Sequence, residues 1–312
     1  MIQNSVVCIG LAVADILVRP VDPEMLKQEI TRVEQIAYNV GGDALNEAFT
    51  LARLGVPVKL MSSVGTDIWG DFIIQAGKDA GVDMEYVKRR SDYPTSVSIV
   101  LIRRDGERGF IGADGTASHF MTESLDIPSI RKAKVVSLAS LYSNHETDMA
   151  FITAAKEAKN AGAIVTADMI VGEKDCSLES LKELLPLLDF IFPNYDEARS
   201  VTGEKDPDKI AGVFLEYGVK NVVIKTGKAG CYIRTANEKF TVPTYKNAKR
   251  VDTTGAGDNF AAGFIYGLTR DLSVRECAAY ANAAASVSIQ YTGARGAKNI
   301  GEVEEMMAGE TF

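Results

Sequence analysis

The sequence predicts an α/β fold in which a central, mostly parallel sheet is covered by helices on both faces. Short apolar runs rich in Val and Ile alternate with helix-length stretches along most of the chain, as in repeated strand–helix units. These runs are continuous rather than alternating, which is typical of strands buried on both faces. Gly55, Gly162 and Gly218 close predicted helices, because glycine readily adopts the left-handed conformation of a C-cap.

The expected elements follow from these patterns in chain order. Strands are predicted at residues 6–9, 58–62, 135–139, 163–167, 190–192 and 222–225. Helices are predicted at residues 44–54, 148–160, 208–217, 255–268 and 273–290. Before the last two helices, residues 231–234 and 239–241 are expected to form a hairpin.

Residues 95–103 and 108–111 break this alternation. They pair naturally across the Asp105-Gly106 sequence, which is a strong hairpin signal. Such a meander would project from the α/β core as a small β lid, or it would be an edge hairpin without a role. Because the chain shows no repeat or clear linker, we expect one domain over residues 1–312, with the lid formed mainly by residues 12–40 and 90–115.

Composition and charge exclude several classes of protein. The 312 residues include 34 Lys and Arg against 42 Asp and Glu, a net charge of −8, whereas nucleic acids and anionic membranes select a basic face. Four scattered Cys and two His argue against a disulfide framework or a zinc site. The N-terminus lacks a signal-peptide pattern, and the charge-free run 277–294 is Ala-rich and reads as a buried helix. We therefore expect a cytoplasmic enzyme or binding protein.

The strongest chemical signal is the string D-T-T-G-A-G-D at residues 252–258, directly before a predicted helix. A helix start leaves about four backbone N–H groups unpaired and carries partial positive charge. Gly255 and Gly257 would let an anion approach these groups closely. Asp258 would repel a phosphate but could accept a proton from a hydroxyl that attacks it. The simpler interpretation is a glycine-rich helix entry with an ordinary first-turn acid.

A second glycine pair, Gly41-Gly42, also opens a predicted helix. Its backbone N–H groups and the Asn46 amide could bind a polyhydroxyl ligand, although taken alone the motif favours an ordinary N-cap at Asp43. Asp15 lies just beyond the first strand, and ligands of open α/β sheets sit outside the carboxyl ends of the strands. Asp15 would hold sugar hydroxyls or be an ordinary loop acid.

Two further motifs follow predicted strands. Asn194 and Glu197 stand three residues apart at a helix start, a spacing suited to hard oxygen ligation of Mg²⁺ or its waters. Lys225-Thr226-Gly227 and Gly230 follow another strand, and the glycines would open the backbone around a nucleotide phosphate. The simpler interpretations, a helix cap and a hairpin turn, would be favoured for either motif alone.

Together and in this order, the motifs resemble those of the PfkB carbohydrate kinase family, which has the ribokinase-like fold. The resemblance runs from Ile9-Gly10 to Asp258, and the string at residues 252–258 is its most specific part. It implies ATP- and Mg²⁺-dependent phosphorylation of a hydroxyl, usually the exocyclic CH₂OH of a sugar such as ribose or fructose. It also implies a β lid that often mediates homodimers.

The resemblance implies a role for each motif. Asp258 would be the base, and the N–H groups of Gly255, Ala256 and Gly257 would form the anion hole. The implied sugar-binding residues are Asp15, Gly41, Gly42 and Asn46. The implied nucleotide-side residues are Asn194, Lys225, Thr226, Gly227, Gly230 and Asn282. The implied metal-binding residues are Glu197 for Mg²⁺, and Asp252 with the Thr254 carbonyl for a monovalent cation such as K⁺.

Two departures from the family pattern bear on the substrate and the site. Many relatives carry an Asn and an Arg after the acid of the central strand, but here Asp168 leads into residues 169–172, M-I-V-G, so no role is predicted for it. Asp43 resembles its counterpart in some 2-keto-3-deoxygluconate kinases, which makes a sugar acid the alternative acceptor. The predicted lid carries basic residues that would meet such a carboxylate or stay solvated, namely Arg103, Arg104 and Arg108.

Two other classes compete with the kinase. Residues 129–132, 142–144 and 225–227 match the S-x-x-K, Y-x-N and K-T-G elements of penicillin-recognising enzymes. However, Ser129 follows a proline and runs into a predicted strand, which leaves no room for the required helix. A non-catalytic sugar or nucleotide sensor on the same fold is the second competitor, and the presence of Asp258 argues against it.

Overall fold

Two sheets of unequal size organise the chain. The computed structural model describes residues 5–105, 107–113, 115–170, 176–294 and 296–311. The strands are β1 (Val6–Ile9), β2 (Val13–Val21), β3 (Gln35–Gly41), β4 (Val58–Gly65), β5 (Val87–Arg90), β6 (Val97–Arg103), β7 (Arg108–Gly112), β8 (Val135–Leu141), β9 (Ile164–Met169), β10 (Phe190–Ile191), β11 (Asn221–Lys225), β12 (Cys231–Arg234) and β13 (Lys239–Val242).

Helices connect most of these strands. They are α1 (Asp43–Arg53), α2 (Ile68–Asp79), α3 (Ile127–Ile130), α4 (His145–Asn160), α5 (Tyr195–Thr202), α6 (Pro207–Glu216), α7 (Ala256–Thr269), α8 (Val274–Ser288) and α9 (Ile300–Met307). Short 3₁₀ turns lie at Pro23–Lys27, Thr116–His119, Thr122–Ser124, Leu178–Leu181, Leu185–Leu187 and Gly227–Ala229. Among the described residues no helix combines the length and apolar character needed to cross a membrane.

The large sheet has the strand order β13-β12-β11-β10-β9-β8-β1-β4-β5. The strands from β11 to β5 pair in parallel, and only β12 and β13 run antiparallel to their neighbours. The predicted mostly parallel α/β sheet is thereby confirmed. Because the parallel strands share one direction, their carboxyl ends meet at one edge, where ligands of such sheets bind.

Strand β1 shows why both faces of this sheet are covered. All four residues of its V-V-C-I sequence are buried, and successive side chains point to opposite faces. Val6 and Cys8 pack into the layer that contains α1, α7 and α8. Val7 and Ile9 pack into the layer that contains α4 and α6. This continuous apolar run therefore contributes side chains to the hydrophobic core on each face of the sheet.

Helices α7 and α8 pack at very close range. A Cβ on Gly263 would lie 2.7 Å from the Tyr280 carbonyl oxygen, and one on Gly267 would lie 2.7 Å from Cys277 Sγ. Both contacts are shorter than real Cβ atoms allow. The two glycines stand about one turn apart and let the backbones of the two helices approach directly.

The second, smaller sheet has the order β3-β2-β6-β7, and we call it the small sheet. The predicted meander supplies β6 and β7, which pair antiparallel; Gly106, in its expected turn, lies outside the described residues. Strands β2 and β3 come from the N-terminal segment, and β2 pairs antiparallel with β3 and parallel with β6. The small sheet thus joins two distant segments of the chain.

Candidate active site

Gly255 is the N-cap residue of helix α7 and lies in the string that carried the strongest prediction. Gly255 has a left-handed backbone with φ +71°, and within the described residues no side chain caps this helix start. A Cβ at this position would lie 2.6 Å from the Ala294 Cβ, so both the backbone and the space require glycine. Of the three predicted anion-hole amides, that of Ala256 also donates to the Thr253 carbonyl at 3.2 Å. This half-buried helix start, which no side chain of the described residues caps, fits a negatively charged ligand group.

The two glycine-rich motifs meet at Asp258. Asn46 Nδ2 donates to Asp258 Oδ2 at 2.6 Å, and one turn further along, Thr50 Oγ1 donates to Asn259 Oδ1 at 2.8 Å. These two bonds hold α1 beside α7. Asn46 is buried, and its Oδ1 has no hydrogen-bond partner among the described residues. An amide that orients the carboxylate therefore keeps an acceptor for a ligand hydroxyl.

The carboxyl group of Asp258 lies in a negatively charged environment. Burial raises its pKa well above the usual range, and the nearby carboxylates of Asp43 and Asp168 raise it further. Asn46 and the Lys225 ammonium lower the pKa but do not offset these effects. A carboxylate whose proton affinity is raised in this way is suited to general-base chemistry near neutral pH.

Lys225 and Asp168 form an ion pair at the carboxyl edge of the large sheet. Lys225 Nζ lies 2.6 Å from Asp168 Oδ2, and both side chains are largely buried. Burial tends to lower the Lys225 pKa, but Asp168 and Glu197 outweigh it and raise the pKa, so the ammonium stays charged. A Cβ on Gly257 would lie 3.1 Å from Lys225 Nζ. The lysine thus places a positive charge beside the helix start. Sequence analysis assigned no role to Asp168, and Val171 and Gly172 of its departing segment lie outside the described residues.

Asp15 lies on β2, and Asp43 opens α1. A Cβ on Gly41 would overlap the Asp15 carboxyl group, so the glycine makes room for the acid. Burial, and then the charge of Asp43, raise the pKa of Asp15 to about 7. Asp43 Oδ2 accepts a hydrogen bond from Ser140 Oγ at 2.7 Å. The pKa of Asp43 is also raised by burial. Because the charge of Asp43 raises the pKa of Asp15, the two acids are near enough to interact at one end of the small sheet.

Glu47 is a further acid that sequence analysis missed. It is fully buried, and its Oε2 accepts a hydrogen bond from Ser137 Oγ at 2.6 Å. Burial raises its pKa well above the usual range, although the Ser137 bond lowers it, and the charge of Asp168 raises it further. In the sequence it is an ordinary helical acid one residue after Asn46. Only the fold brings it near the acids of the site, Asp43, Asp168 and Asp258.

Asn194 and Glu197 form the helix cap that the simpler interpretation favoured. Asn194 Oδ1 accepts from the Glu197 N–H at 2.9 Å, and Glu197 Oε2 accepts from the Asn194 N–H at 2.7 Å. Glu197 also faces the ion pair, and burial, opposed by Lys225, raises its pKa to about 7. In the described chain no three acidic, His or Cys side chains are grouped to hold a metal ion by themselves.

The other nucleotide-side residues form the turn after β11 and its support. The Thr226 N–H and Oγ1 both donate to the Gly230 carbonyl at 2.9 Å, which closes the turn around Gly227. Asn282 is buried on α8, and its amide donates to the Val242 and Pro243 carbonyls at 3.0 and 3.2 Å. These polar groups bond within the fold, and the structure does not bring Asn282 into contact with Asp258.

Residues 252–254 receive a contact from the small sheet that the sequence did not predict. Asp252 Oδ1 accepts from the Thr254 N–H at 2.9 Å and from Thr254 Oγ1 at 2.7 Å, and Asp252 Oδ2 accepts from the Gly293 N–H at 2.8 Å. Arg108 on β7 donates to Thr253 Oγ1 at 2.9 Å and to Thr254 Oγ1. Burial tends to raise the Asp252 pKa, but these hydrogen bonds and Arg108 lower it overall, so this acid is ionised.

The chain is similar in sequence to known carbohydrate kinases. The model of the pfkB family of carbohydrate kinases matches residues 3–300. The chain is 30% identical over 271 residues to the 2-dehydro-3-deoxygluconokinase of Bacillus subtilis, covering 84% of each chain. It is 33% identical over 266 residues to the ribokinase of Arabidopsis thaliana, covering 81% of this chain and 68% of that one.

Similar solved structures include two ribokinases. The structure of Arabidopsis thaliana ribokinase complexed with ribose and ATP superposes with a TM-score of 0.84 at 28% identity, covering 99% of this chain and 100% of that one. Ribokinase from Thermotoga maritima superposes with a TM-score of 0.82 at 26% identity, covering 98% and 99%. These matches confirm the ribokinase-like fold and the phosphotransferase class with an alcohol acceptor. The chain belongs to the pfkB family of carbohydrate kinases.

Proposed function

We propose that this carbohydrate kinase transfers the γ-phosphoryl group of ATP to the CH₂OH group of a neutral ribose- or fructose-like sugar. The observation that carries the proposal is the Asp258 carboxylate, raised in pKa and held by Asn46 at the uncapped start of α7. A base and an anion site adjoin there, and phosphoryl transfer depends on such positioning and electrostatics.

Asp258 accepts the proton of the sugar hydroxyl while the oxygen of that hydroxyl attacks the γ-phosphorus. The bond from phosphorus to the β–γ bridging oxygen breaks, and ADP leaves with that oxygen. The N–H groups of Gly255, Ala256 and Gly257 and the Lys225 ammonium face the charge that spreads over the transferring group. Asp15, Gly41, Gly42 and Asn46 would bind the sugar hydroxyls, the last through its Oδ1, which has no hydrogen-bond partner among the described residues.

The residues present fit a nucleotide with Mg²⁺. Mg²⁺ is usually held by one or two carboxylates together with substrate phosphates, and Glu197 and Asp168 supply carboxylates near Lys225. When bound, the ion would neutralise phosphate charge. The nucleotide side would be formed by the turn that Thr226 closes, with Gly227 and Gly230, and by the start of α5 at Asn194. Asn282 of α8 would support this side through its bonds to the Val242 and Pro243 carbonyls.

A monovalent cation beside Asp252 and the Thr254 carbonyl has no part in this mechanism. Both Asp252 carboxylate oxygens already accept hydrogen bonds from backbone or side-chain donors. The Arg108 guanidinium lies 3.4 Å from Asp252 Oδ1. A cation bound to this carboxylate would have to displace these donors and would be repelled by the arginine.

The charge of the acceptor side favours a neutral sugar. Asp15, Asp43 and Asp258 are acidic, and a sugar acid would bring one more negative charge beside them. Arg103 and Arg104 lie at the surface, where they pair with Asp105 and Glu34. A 2-keto-3-deoxygluconate-type acid is the second candidate, because the Bacillus subtilis relative is named for such a substrate.

A substrate screen separates these candidates. ADP release would be measured with ATP and Mg²⁺ over ribose, fructose, other aldoses and ketoses, nucleosides and 2-keto-3-deoxygluconate. We expect turnover with a neutral sugar and little with the acid. Turnover of the acid alone would show that the acceptor assignment is wrong. Binding of sugar and ATP without any turnover would identify a sensor instead of an enzyme.

We also infer that the small sheet is a lid on one catalytic domain of residues 1–312 and joins two chains into a cytoplasmic homodimer. One row of paired residues crosses the four strands of the small sheet and consists of Tyr38, Ile16, Ile99 and Ile111. Because successive side chains of a strand point to opposite faces, this row lies on the face opposite to that of Asp15. Tyr38 is 59% and Ile111 50% exposed. An apolar sheet face of this kind favours a second copy as its cover. Sedimentation of wild type against Ile111→Asp would test this, since dissociation is expected only in the variant.

A further inference from the structure

Arg108 differs from the other basic residues of its hairpin. Its guanidinium leaves the small sheet and reaches residues 252–254, where it contacts both threonine hydroxyls and lies 3.4 Å from Asp252 Oδ1. Its side chain is 21% exposed, whereas that of Arg104, on the same hairpin, is 79% exposed. Arg108 is thus the hairpin arginine that the fold partly desolvates and directs toward the anion-hole loop.

The Asp252 carboxylate at the end of this contact is only 10% exposed. Its Oδ1 accepts two hydrogen bonds from Thr254, and its Oδ2 accepts one from Gly293. The guanidinium of Arg108 supplies the positive charge that compensates this buried anion. The residues present therefore do not fit an additional cation at this carboxylate.

We propose that the Arg108 guanidinium takes the place of a monovalent cation at Asp252, so that the small sheet itself supplies the fixed charge beside the anion-hole loop. Arg108 is then a positioning residue, since it acts on the start of α7 through residues 252–254 and does not touch the reacting atoms. The conformation of this loop becomes dependent on the position of the small sheet. This replacement of an ion by Arg108 is a property of the protein without ligands and does not depend on which sugar is phosphorylated.

The test compares thermal unfolding in KCl with unfolding in tetramethylammonium chloride at equal concentration, without sugar or nucleotide. Wild type is expected to give the same Tm in both salts within about 1 °C, because Arg108 occupies the place of the ion. Arg108→Gln removes the charge and keeps a polar side chain, so K⁺ should now bind and raise its Tm by roughly 2 °C or more over the organic cation. Arg108→Lys keeps the charge and should remain indifferent to K⁺.

Arg104→Gln is the matched control, since it removes one arginine from the same hairpin at the surface. It is expected to behave as wild type. A specific K⁺ stabilisation of wild type would overturn the proposal, because an ion would then bind beside Arg108. Failure of Arg108→Gln to gain any K⁺ response would also overturn it, and if that variant does not fold, the wild-type and Arg108→Lys measurements decide. None of these readouts requires turnover, so they do not depend on the proposed reaction.

Discussion

Helices α5 and α7 both begin at the carboxyl edge of the large sheet with an acid in the first turn, yet they use it differently. At α5, Glu197 and Asn194 bond each other's backbone N–H groups and close the helix start. At α7, the described residues provide no side-chain cap at Gly255, and Asp258 is held by Asn46 from α1. The two acids thus differ in what orients them, since Asp258 is held by a residue of another helix whereas Glu197 is bound to the start of its own helix.

The largest expected effect is that of Asp258→Asn. The amide keeps the shape of the side chain but cannot accept the hydroxyl proton, and loss of a general base costs roughly 10²–10⁴-fold in rate. We expect kcat at least ~100-fold lower with ATP binding preserved, measured by coupled ADP release and calorimetry. Asp196→Asn, at the exposed first-turn acid of α5, is the control and should keep its kcat. Near-normal turnover of Asp258→Asn would remove this residue from the role of base.

The next effect is that of Gly255→Ala, which changes the start of α7 itself. The new Cβ would meet Ala294 at a backbone position with φ +71°, so the loop must shift, and small displacements of positioning groups cost roughly 100-fold in kcat. Gly203→Ala is a matched control at the end of α5, since φ is +73° but no atom lies within 4 Å of the added Cβ. It should lose about 1 kcal/mol of stability and keep its kcat. Equal kcat losses in both variants would show that strain alone, and not the anion site, is responsible.

As the pH rises from acidic to neutral, activity should increase, whereas the contribution of Asp15 to stability should decrease. The base acts only when ionised, so kcat/KM should fall as the pH drops through the raised pKa of Asp258. Asp15, whose pKa is raised from 3.8 to about 7, binds its proton more tightly when folded. Its contribution to stability is therefore complete below about pH 4 and is lost as the pH rises through about 7.

Asp15→Asn isolates the stability effect, because it removes one of the titrating groups. Between pH 5 and 8, about the range in which the Asp15 proton is lost, the Tm of this variant should fall less than that of wild type. The measurement is a set of thermal unfolding curves in matched buffers. An unchanged slope would show that Asp15 titrates normally.

The smallest effect is expected from Asn194→Ala. Loss of an N-cap side chain costs about 1 kcal/mol of stability, which unfolding in urea would detect. Because the side chain is used by its own helix, kcat should change far less than in Asp258→Asn. A large loss of kcat with unchanged stability would show that the Asn194 side chain itself takes part in the reaction and is not only a helix cap, which would contradict the comparison with α7.

Contiguous features were predictable from the sequence. The glycines of the string at residues 252–258 predict a helix start. Helix α7 begins at Ala256, one residue from the expected position. The strand predicted at residues 6–9 is β1. Residues 12–40 were expected to belong to the β lid, but the bounds of strands β2 and β3 within that segment were not predicted. In β2, the residues Asp15, Arg19 and Pro20 weaken the apolar pattern of a strand.

Contacts between distant residues were not predictable in the same way. The Asp168–Lys225 pair joins residues 57 positions apart, and Arg108 contacts residues more than 140 positions away. Neither carries a local signal, since an acid at the end of a strand and an arginine in a hairpin are usually solvated. Only the order of strands in the sheet and the placement of the small sheet bring them together.

The glycine contacts between α7 and α8 have a consequence for which substitutions this pair of helices tolerates. Because Gly263 and Gly267 are set directly against α8, a larger side chain at either position would push the two helices apart. Asp258 lies on the same helix and is held by Asn46 of α1, so such a substitution would displace its carboxyl group although the substituted residue lies outside the site.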